Sequence, residues 1–334
     1  MKKSKGILTI FVVLLILIIG TIFMYTKTIN HPLKSNKESI VVEVKEGEGF
    51  YTLLNELKEK DLIKNELFIK LYLKLNRVNP KVTKGTYTVK TDITLSKLLE
   101  TLQTESAVKV VIPEGYTVVQ IADILQKDKL FSKEEFLKAV NNYPLPDYIK
   151  KDNKRRYALE GFLFPDTYLF PKRSTPNEVI KTMLDKFQSV MKEVESETGV
   201  TVPTDEIDEV VTKASLIEKE ARTEKDRPLI SSVIDNRIEK NMPLQIDATV
   251  IYALGKHVDK VLYKHLEVES PYNTYKNKGL PVGPIANPGK PSLIAALEPA
   301  KTDYIYYLLN PKTGEHYFTN SYSEFEKKKV EFGY

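Results

Sequence analysis

The chain contains no cysteine, so it can hold no disulfide framework, no thiolate metal site, no cysteine nucleophile and no lipid-modified cysteine. Function has to come from oxygen and nitrogen chemistry. Histidine is scarce too: His31, His257, His265 and His316 are scattered and no HExxH run occurs, which leaves no zinc site that spacing can assemble. The phosphate-binding pattern GxxxxGK and the nucleophile elbow GxSxG are also absent. No metal and no cofactor are expected. Charge of one sign is not in excess either, since 50 Lys and Arg against 45 Asp and Glu give +5, of which Lys2, Lys3 and Lys5 supply three. The remaining +2 or so is far from the strongly basic face of a nucleic-acid-binding protein, so no nucleic-acid partner is expected.

What is present begins at residues 6–25, GILTIFVVLLILIIGTIFMY, which carry no charge. About 20 such residues are what a bilayer core needs. The run exceeds the ~7 to 15 apolar residues of a signal peptide, and no small-x-small cleavage site follows it. A single transmembrane helix is expected. Lys2, Lys3 and Lys5 crowd its N-terminal side while Lys27 and Lys34 are sparser, so the positive-inside bias makes residues 1–5 a cytoplasmic tail and puts everything after about residue 26 outside the cell membrane. Residues 26–38 are polar and read as a tether.

The 334 residues, 42% of them hydrophobic, suffice for two globular domains. The first region contains an internal repeat at an offset of 68 residues: Glu46, Gly47, Leu57, Leu62, Phe68 and Lys70 fall on Glu114, Gly115, Leu125, Leu130, Phe136 and Lys138. Each copy starts with a β-rich run (40–44; 108–112), turns at Glu-Gly and continues as two short amphipathic helices. Residues 85–89 close the first copy as a strand, and residues 166–170 close the second after an insertion at 144–156. The spacing predicts a βααβ unit over 39–91 and a second, interrupted one over 107–172. From residue 174 the pattern turns helical, with helices at 177–197, from 204 or 205 to 222, and at 226–240. Loops rich in Pro, Gly and Asn (270–291), a short helix at 292–297, a hairpin (304–309 and 316–319) and a last helix follow. The expected fold class is α+β, with 174–334 as a mainly helical domain carrying a small β-hairpin.

On the second of these helices, at 100° per residue, Ile207, Val210, Val211, Ala214, Ile217 and Ala221 occupy an arc of about 120°, and Glu218 falls inside it. Glu220 falls about 200° around, beside Glu209 and Lys213, where the wheel puts it in solvent; Leu216 also points off the stripe. A carboxyl group against apolar neighbours has a raised pKa, the condition for a general acid near neutral pH. The structural alternative is an ordinary ion pair of Glu218 with Arg222 at i+4. Downstream lie Gln245, Asp247, Thr249 and Tyr252, then Ser270-Pro-Tyr-Asn273-Thr274-Tyr275, then the 279–289 loop containing Asn287. Amides, hydroxyls and tyrosine rings on rigid loops suit a sugar; the alternative is that the Pro and Gly only make turns and the tyrosines only pack.

Taken together, Ala214-Ser-Leu-Ile-Glu-Lys-Glu220, Val233-Ile-Asp-Asn-Arg237, Leu244-Gln-Ile-Asp-Ala-Thr-Val-Ile-Tyr252, the 270–275 and 279–289 loops and Leu159-Glu-Gly-Phe-Leu-Phe-Pro-Asp-Thr-Tyr168 resemble the endolytic murein transglycosylases, the YceG-like family. The resemblance spans the chain after the apolar run. It implies a LysM-like N-terminal part, which suits the βααβ repeat, and a catalytic domain that cuts peptidoglycan glycan strands internally. It places the catalytic glutamate at Glu218, with Gln245, Asn273 and Tyr275, and more weakly Asp247, Thr249, Tyr252, Thr274 and Asn287, as sugar-binding candidates. Peptidoglycan and the bilayer are the implied partners, with cell-wall synthases as further candidates. Ordinary glycosidases need two carboxylates, whereas a lytic transglycosylase needs one, because the muramic C6 hydroxyl is the nucleophile and the product carries a 1,6-anhydro end. Two rivals remain: a non-enzymatic glycan-binding anchor, and a hydrolytic muramidase in which Glu218 and Asp247 activate water.

Overall fold

The computed structural model describes residues 2–103, 107–172, 174–256, 258 and 261–334, with side chains from Val12 onward. His257 of the sequence reading lies outside the described residues. The chain divides into two compact units, Met1–Lys109 with Leu169–Arg173, and Val110–Tyr168 with Ser174–Tyr334.

The first unit opens with α1 (Lys2–Asn30), among the described residues the one helix long and apolar enough to cross a membrane. Then come β1 (Ser39–Val44), α2 (Phe50–Glu59), α3 (Glu66–Leu75), β2 (Gly85–Lys90) and α4 (Leu95–Gln103). Strand β1 pairs antiparallel with β2 from Ser39↔Lys90 to Val44↔Gly85, and the alternation of buried Ile40, Val42 and Val44 with outward side chains sets that register. Asn65 starts α3 by accepting the Leu67 and Phe68 N–H groups. Helices α2 to α4 close the core with Leu53, Leu54, Ile69, Leu73, Leu98 and Leu102. The stretch expected to be a tether is built into this unit instead. Helix α1 runs on to Asn30, Thr28 and Leu33 are buried, and the Lys34 and Lys64 N–H groups donate to the carbonyls of Leu62 and Pro32 at 2.8 and 2.9 Å. Polar composition hid this because backbone pairing, rather than apolar side chains, holds most of the segment.

The second βααβ series follows: β3 (Ala107–Val111), α5 (Val118–Lys127), α6 (Lys133–Asn142) and β4 (Thr167–Pro171), the sheet running in the order β1-β2-β3-β4. Helix α5 begins at a capping box of Thr117 with Gln120. The remainder is α7 (Pro176–Thr198), α8 (Ile207–Glu220), α9 (Asp226–Glu239), α10 (Asp247–Leu254), α11 (Tyr263–Leu266), α12 (Lys290–Leu297), the hairpin β5 (Tyr306–Leu309) and β6 (His316–Thr319), and α13 (Tyr322–Phe332). Another capping box, Thr175 with Glu178, and Pro176 in the first turn open α7, and Gly199 closes it in the left-handed conformation at φ 69°.

Helix α5 and its turn belong to the second unit because polar side chains tie them to the later loops. Asn287 accepts the Leu163 N–H and donates to the Tyr116 carbonyl, and the Gly115 N–H donates to the Asn287 carbonyl. Glu160, 1% exposed, accepts hydrogen bonds from the Val118 N–H (2.9 Å), the Tyr252 hydroxyl (2.9 Å) and the Asn287 amide (3.2 Å). The residues read as an insertion supply two clamps. Arg155 pairs with buried Asp208 and donates to the Val282 carbonyl, while Arg156 donates to the carbonyls of Tyr252 and Ala253 with its guanidinium 5.0 Å from the Tyr252 ring centre.

Burial pushes the Glu160 carboxyl up to about 7 despite its three donors. The folded state therefore holds this proton more tightly than the unfolded chain, so Glu160's contribution to stability is fully present below about pH 4.5 and is lost as pH rises towards 7. The loss amounts to about 3 kcal/mol. Urea unfolding of the protein and of Glu160→Gln across this range should show their stability difference moving by that amount; a pH-independent difference would refute the buried acid.

Candidate functional site

Helix α8 packs against α9, α10 and α12, so its C-terminal half is enclosed on several sides. That enclosure overturns part of the helix-wheel reading. Leu216, expected to point off the apolar stripe, is fully buried, and Glu220, expected in solvent, is half-buried and lines a cleft of about 430 Å³. Glu218 is not among the residues lining that cleft. Its Oε2 accepts from Ser292 Oγ at 2.7 Å and from the Gly289 N–H at 3.2 Å, and its Cγ lies against Gly115. The cationic neighbour of Glu218 is Arg227, 3.9 Å away, rather than Arg222. Glu218 thus holds the start of α12, and burial, followed by the charge of Glu218, raises the pKa of neighbouring Glu114.

The helix stops at Glu220 because Ala221 turns extended, and Asp226 then accepts the Arg222 and Thr223 N–H groups at 3.0 and 2.8 Å. This leaves Glu220 on the last turn of α8, where the helix dipole disfavours a negative charge. Tyr307 on β5 donates its hydroxyl to Glu220 Oε2 at 2.8 Å. Burial is the main cause of a raised Glu220 pKa; Asp247 adds to it, while Tyr307, Arg222 and Lys219 oppose it. His316 on β6 packs edge-on to Tyr307, with ring centres 5.6 Å apart, and sits 3.1 Å from Asp226. The hairpin thereby holds both the acid and the turn behind it.

The cleft also holds Gln245, Asp247 and Tyr275, three of the sequence-derived sugar-binding candidates. Tyr275 donates to Asp247 Oδ1 at 2.6 Å, and Gln245 sits at φ 52°, a left-handed conformation that costs a non-glycine residue energy and that recurs at functional sites. Its N–H is anchored on the Thr274 carbonyl at 3.2 Å. Arg237, which the sequence reading quotes in the 233–237 motif without giving it a role, braces the floor by donating to the carbonyls of Ile305 and Leu244, each at 2.7 Å.

The other five candidates are buried and already engaged, which corrects their assignment as sugar ligands. Thr249 bonds Thr274 at 2.9 Å, Asn273 donates to the carbonyls of Leu266 and Val268, Tyr252 donates to Glu160, and Asn287 bridges Leu163, Tyr116 and Glu160. A loop packed into a core must satisfy its own backbone groups, and these side chains do that. Among the described residues no group of acids and histidines could hold a metal ion.

Comparison with known proteins matches residues 42–331 to the model of the YceG-like family. The chain belongs to the YceG-like family. It is 37% identical over 332 residues to a protein of Bacillus subtilis (strain 168) named endolytic murein transglycosylase, covering 95% of this chain and 91% of that one. A protein of the same name from Streptococcus pneumoniae (strain R6) is 30% identical over 361 residues, covering 97% of this chain, which spans 64% of that longer relative. A 2.6 Å crystal structure of a yceG-like protein from Listeria monocytogenes is 36% identical, with a TM-score of 0.60, covering 88% of this chain and all of that one.

The buried loop residues and the cleft residues should respond oppositely to substitution. Asn273→Ala strands two buried carbonyls and should lower unfolding free energy by about 2 kcal/mol or more, whereas Gln245→Ala, at an exposed cleft position, should not weaken folding. Chemical denaturation distinguishes them, and an unaltered midpoint for Asn273→Ala would return that residue to the list of sugar ligands.

Proposed function

We propose that this chain is an endolytic peptidoglycan lytic transglycosylase held at the membrane by α1, with its catalytic acid and base on α8: the family motif points to Glu218, and the cleft favours Glu220. The observation that favours Glu220 is its place in the cleft, a polar recess that it shares with Gln245, Asp247 and Tyr275; in both glutamates one oxygen, Oε2, is held by fixed donors. Residues 110–168 and 174–334 are taken together as the catalytic body.

Protonated Glu220 gives its proton to the oxygen bridging N-acetylmuramic acid and N-acetylglucosamine as the bond from that oxygen to C1 breaks. The resulting carboxylate accepts the proton of the muramic C6 hydroxyl, whose oxygen closes on C1. One proton passes through Glu220, no water is consumed, and the cut strand ends in a 1,6-anhydro sugar. Tyr307, donating to Oε2, leaves Oε1 to carry the proton, and its bond strengthens as negative charge develops, which is how a fixed donor favours the transition state. Gln245 and the linked pair Tyr275 and Asp247 offer the sugar an amide, a ring and a carboxylate. The βααβ unit over 39–91 is proposed as a LysM-like glycan-holding element, and the lysines at the start of α1 as the cytoplasmic side.

Glu220→Gln cannot donate and retrieve a proton, so the rate should fall by at least the ~10² to 10⁴ of a lost general acid. Glu218→Gln should keep most activity and instead lose about 1 to 2 kcal/mol of stability. The reverse pattern would return the role to Glu218. Because the donor must be protonated, kcat/KM should decline as pH rises through the elevated Glu220 pKa. Mass spectrometry of digested glycan reads the outcome: anhydro ends support the single-acid route, free reducing ends would mean that Asp247 in the same cleft directs water, and no product would leave a glycan-binding role.

A further inference from the structure

Helix α3 is apolar on two sides. At 100° per residue, Ile69 and Leu73 share one face and are buried in the core of the first unit, while Leu67, Leu71 and Leu75 lie within an arc of about 80° on roughly the opposite face. Those three leucines are 75%, 42% and 66% exposed. An amphipathic helix of a water-soluble surface would present polar groups there, and an aligned exposed apolar stripe marks an interaction site.

The neighbour of this stripe is the end of the membrane-crossing helix. Phe68, at the margin of the stripe, meets Tyr25 of α1 edge-on, with ring centres 5.8 Å apart. Tyr25 closes the apolar run, at the position where tyrosines sit in the headgroup layer of a bilayer, and the side chains just before it, Ile22, Phe23 and Met24, are 56%, 65% and 57% exposed. Beyond Tyr25 the helix is held by the first unit, Thr28 being buried and Ile29 packed on its core. The depth of α3 relative to the bilayer is therefore fixed by α1. Lys74 beside the stripe is exposed and suits a headgroup layer, where a lysine stem lies along apolar surface with its charge in water.

We infer that α3 lies in the membrane interface with Leu67, Leu71 and Leu75 in the acyl boundary, so that the lipid bilayer is the partner of this face and seats the first unit at two points, α1 and α3. The inference rests on α1 being the membrane anchor. A helix-in-interface contact of this kind takes its stability from buried apolar area.

The chain has no tryptophan, so a single introduced one is the sole reporter. Full-length Leu71→Trp and Leu75→Trp, reconstituted in phosphatidylglycerol and phosphatidylethanolamine vesicles, should show blue-shifted emission and quenching by bromine-labelled acyl chains comparable with Phe23→Trp inside α1. Tyr51→Trp, on the exposed side of α2, should be neither shifted nor quenched. Quenching at Phe23 without quenching at positions 71 and 75 overturns the proposal while leaving the anchor intact. Absence of quenching at Phe23 overturns the anchor itself. Blue-shifted emission at 71 and 75 that bromine does not quench would mean that a second copy covers the stripe, and quenching at Tyr51 as well would mean unspecific adsorption; both refute the interfacial helix.

Discussion

A carboxyl group with almost no exposed surface has to find its hydrogen bonds inside the protein or remain protonated. Glu160 does some of each. Its three donors come from the first turn of α5, from α10 and from the 279–289 loop, so one acid fixes the relative positions of segments 42, 92 and 127 residues away in the chain. The position of α10 follows from this, and with it Asp247 at its N-terminus and Gln245 just before it. Arg156 reinforces the arrangement by gripping the carbonyls of Tyr252 and Ala253 from the other side. Replacing such a network by apolar groups of the same shape is often tolerated energetically; here its geometric product is the wall of the cleft.

The opposite wall is set by a different device. Helix α8 is cut short by Asp226, which accepts two backbone N–H groups of the turn after Glu220, and the β5-β6 hairpin then closes on that turn through Tyr307 and His316. Gly161, at φ 91°, serves the first half of α8 instead: a Cβ there would come within 2.5 Å of Pro284 and 2.8 Å of Val211, so only glycine lets this stretch of chain approach both the 279–289 loop and α8. Sequence elements far apart thus converge on the last turn of one helix.

How much of this the sequence made legible depends on whether a feature is local. The apolar run, the βααβ repeat and the hairpin all carry local periodicity or turn chemistry, and the structure has elements at those places within a few residues. The site was half legible. Gln245, Asp247 and Tyr275 were identified by side-chain type, and they meet in the cleft; Asn273, Thr274 and Asn287 have equally sugar-like chemistry but are consumed by the loops that carry them. Nothing within a few residues of Tyr307 or Arg237 announces that they will reach α8 and the cleft floor. Glu160 did leave a signal, an acid inside Leu-Glu-Gly-Phe-Leu-Phe, a run otherwise suited to a core.

The misplacement of Glu220 has the same origin. A helical wheel assumes one buried face and one wet face, and α8 is contacted by α9, α10 and α12 together. Under that condition burial no longer distinguishes the two acids; what distinguishes them is which groups each one meets. Glu218 meets a hydroxyl and a backbone N–H on the same oxygen, with a guanidinium nearby, an arrangement that holds a side chain in place. Glu220 meets opposing influences, burial and Asp247 against Tyr307, Arg222 and Lys219. Chemistry in which one residue must first release a proton and then take one back requires that neither protonation state be strongly preferred. At Glu220 burial raises the pKa against the pull of Tyr307, Arg222 and Lys219, and the cleft that Glu220 lines also carries Gln245, Asp247 and Tyr275.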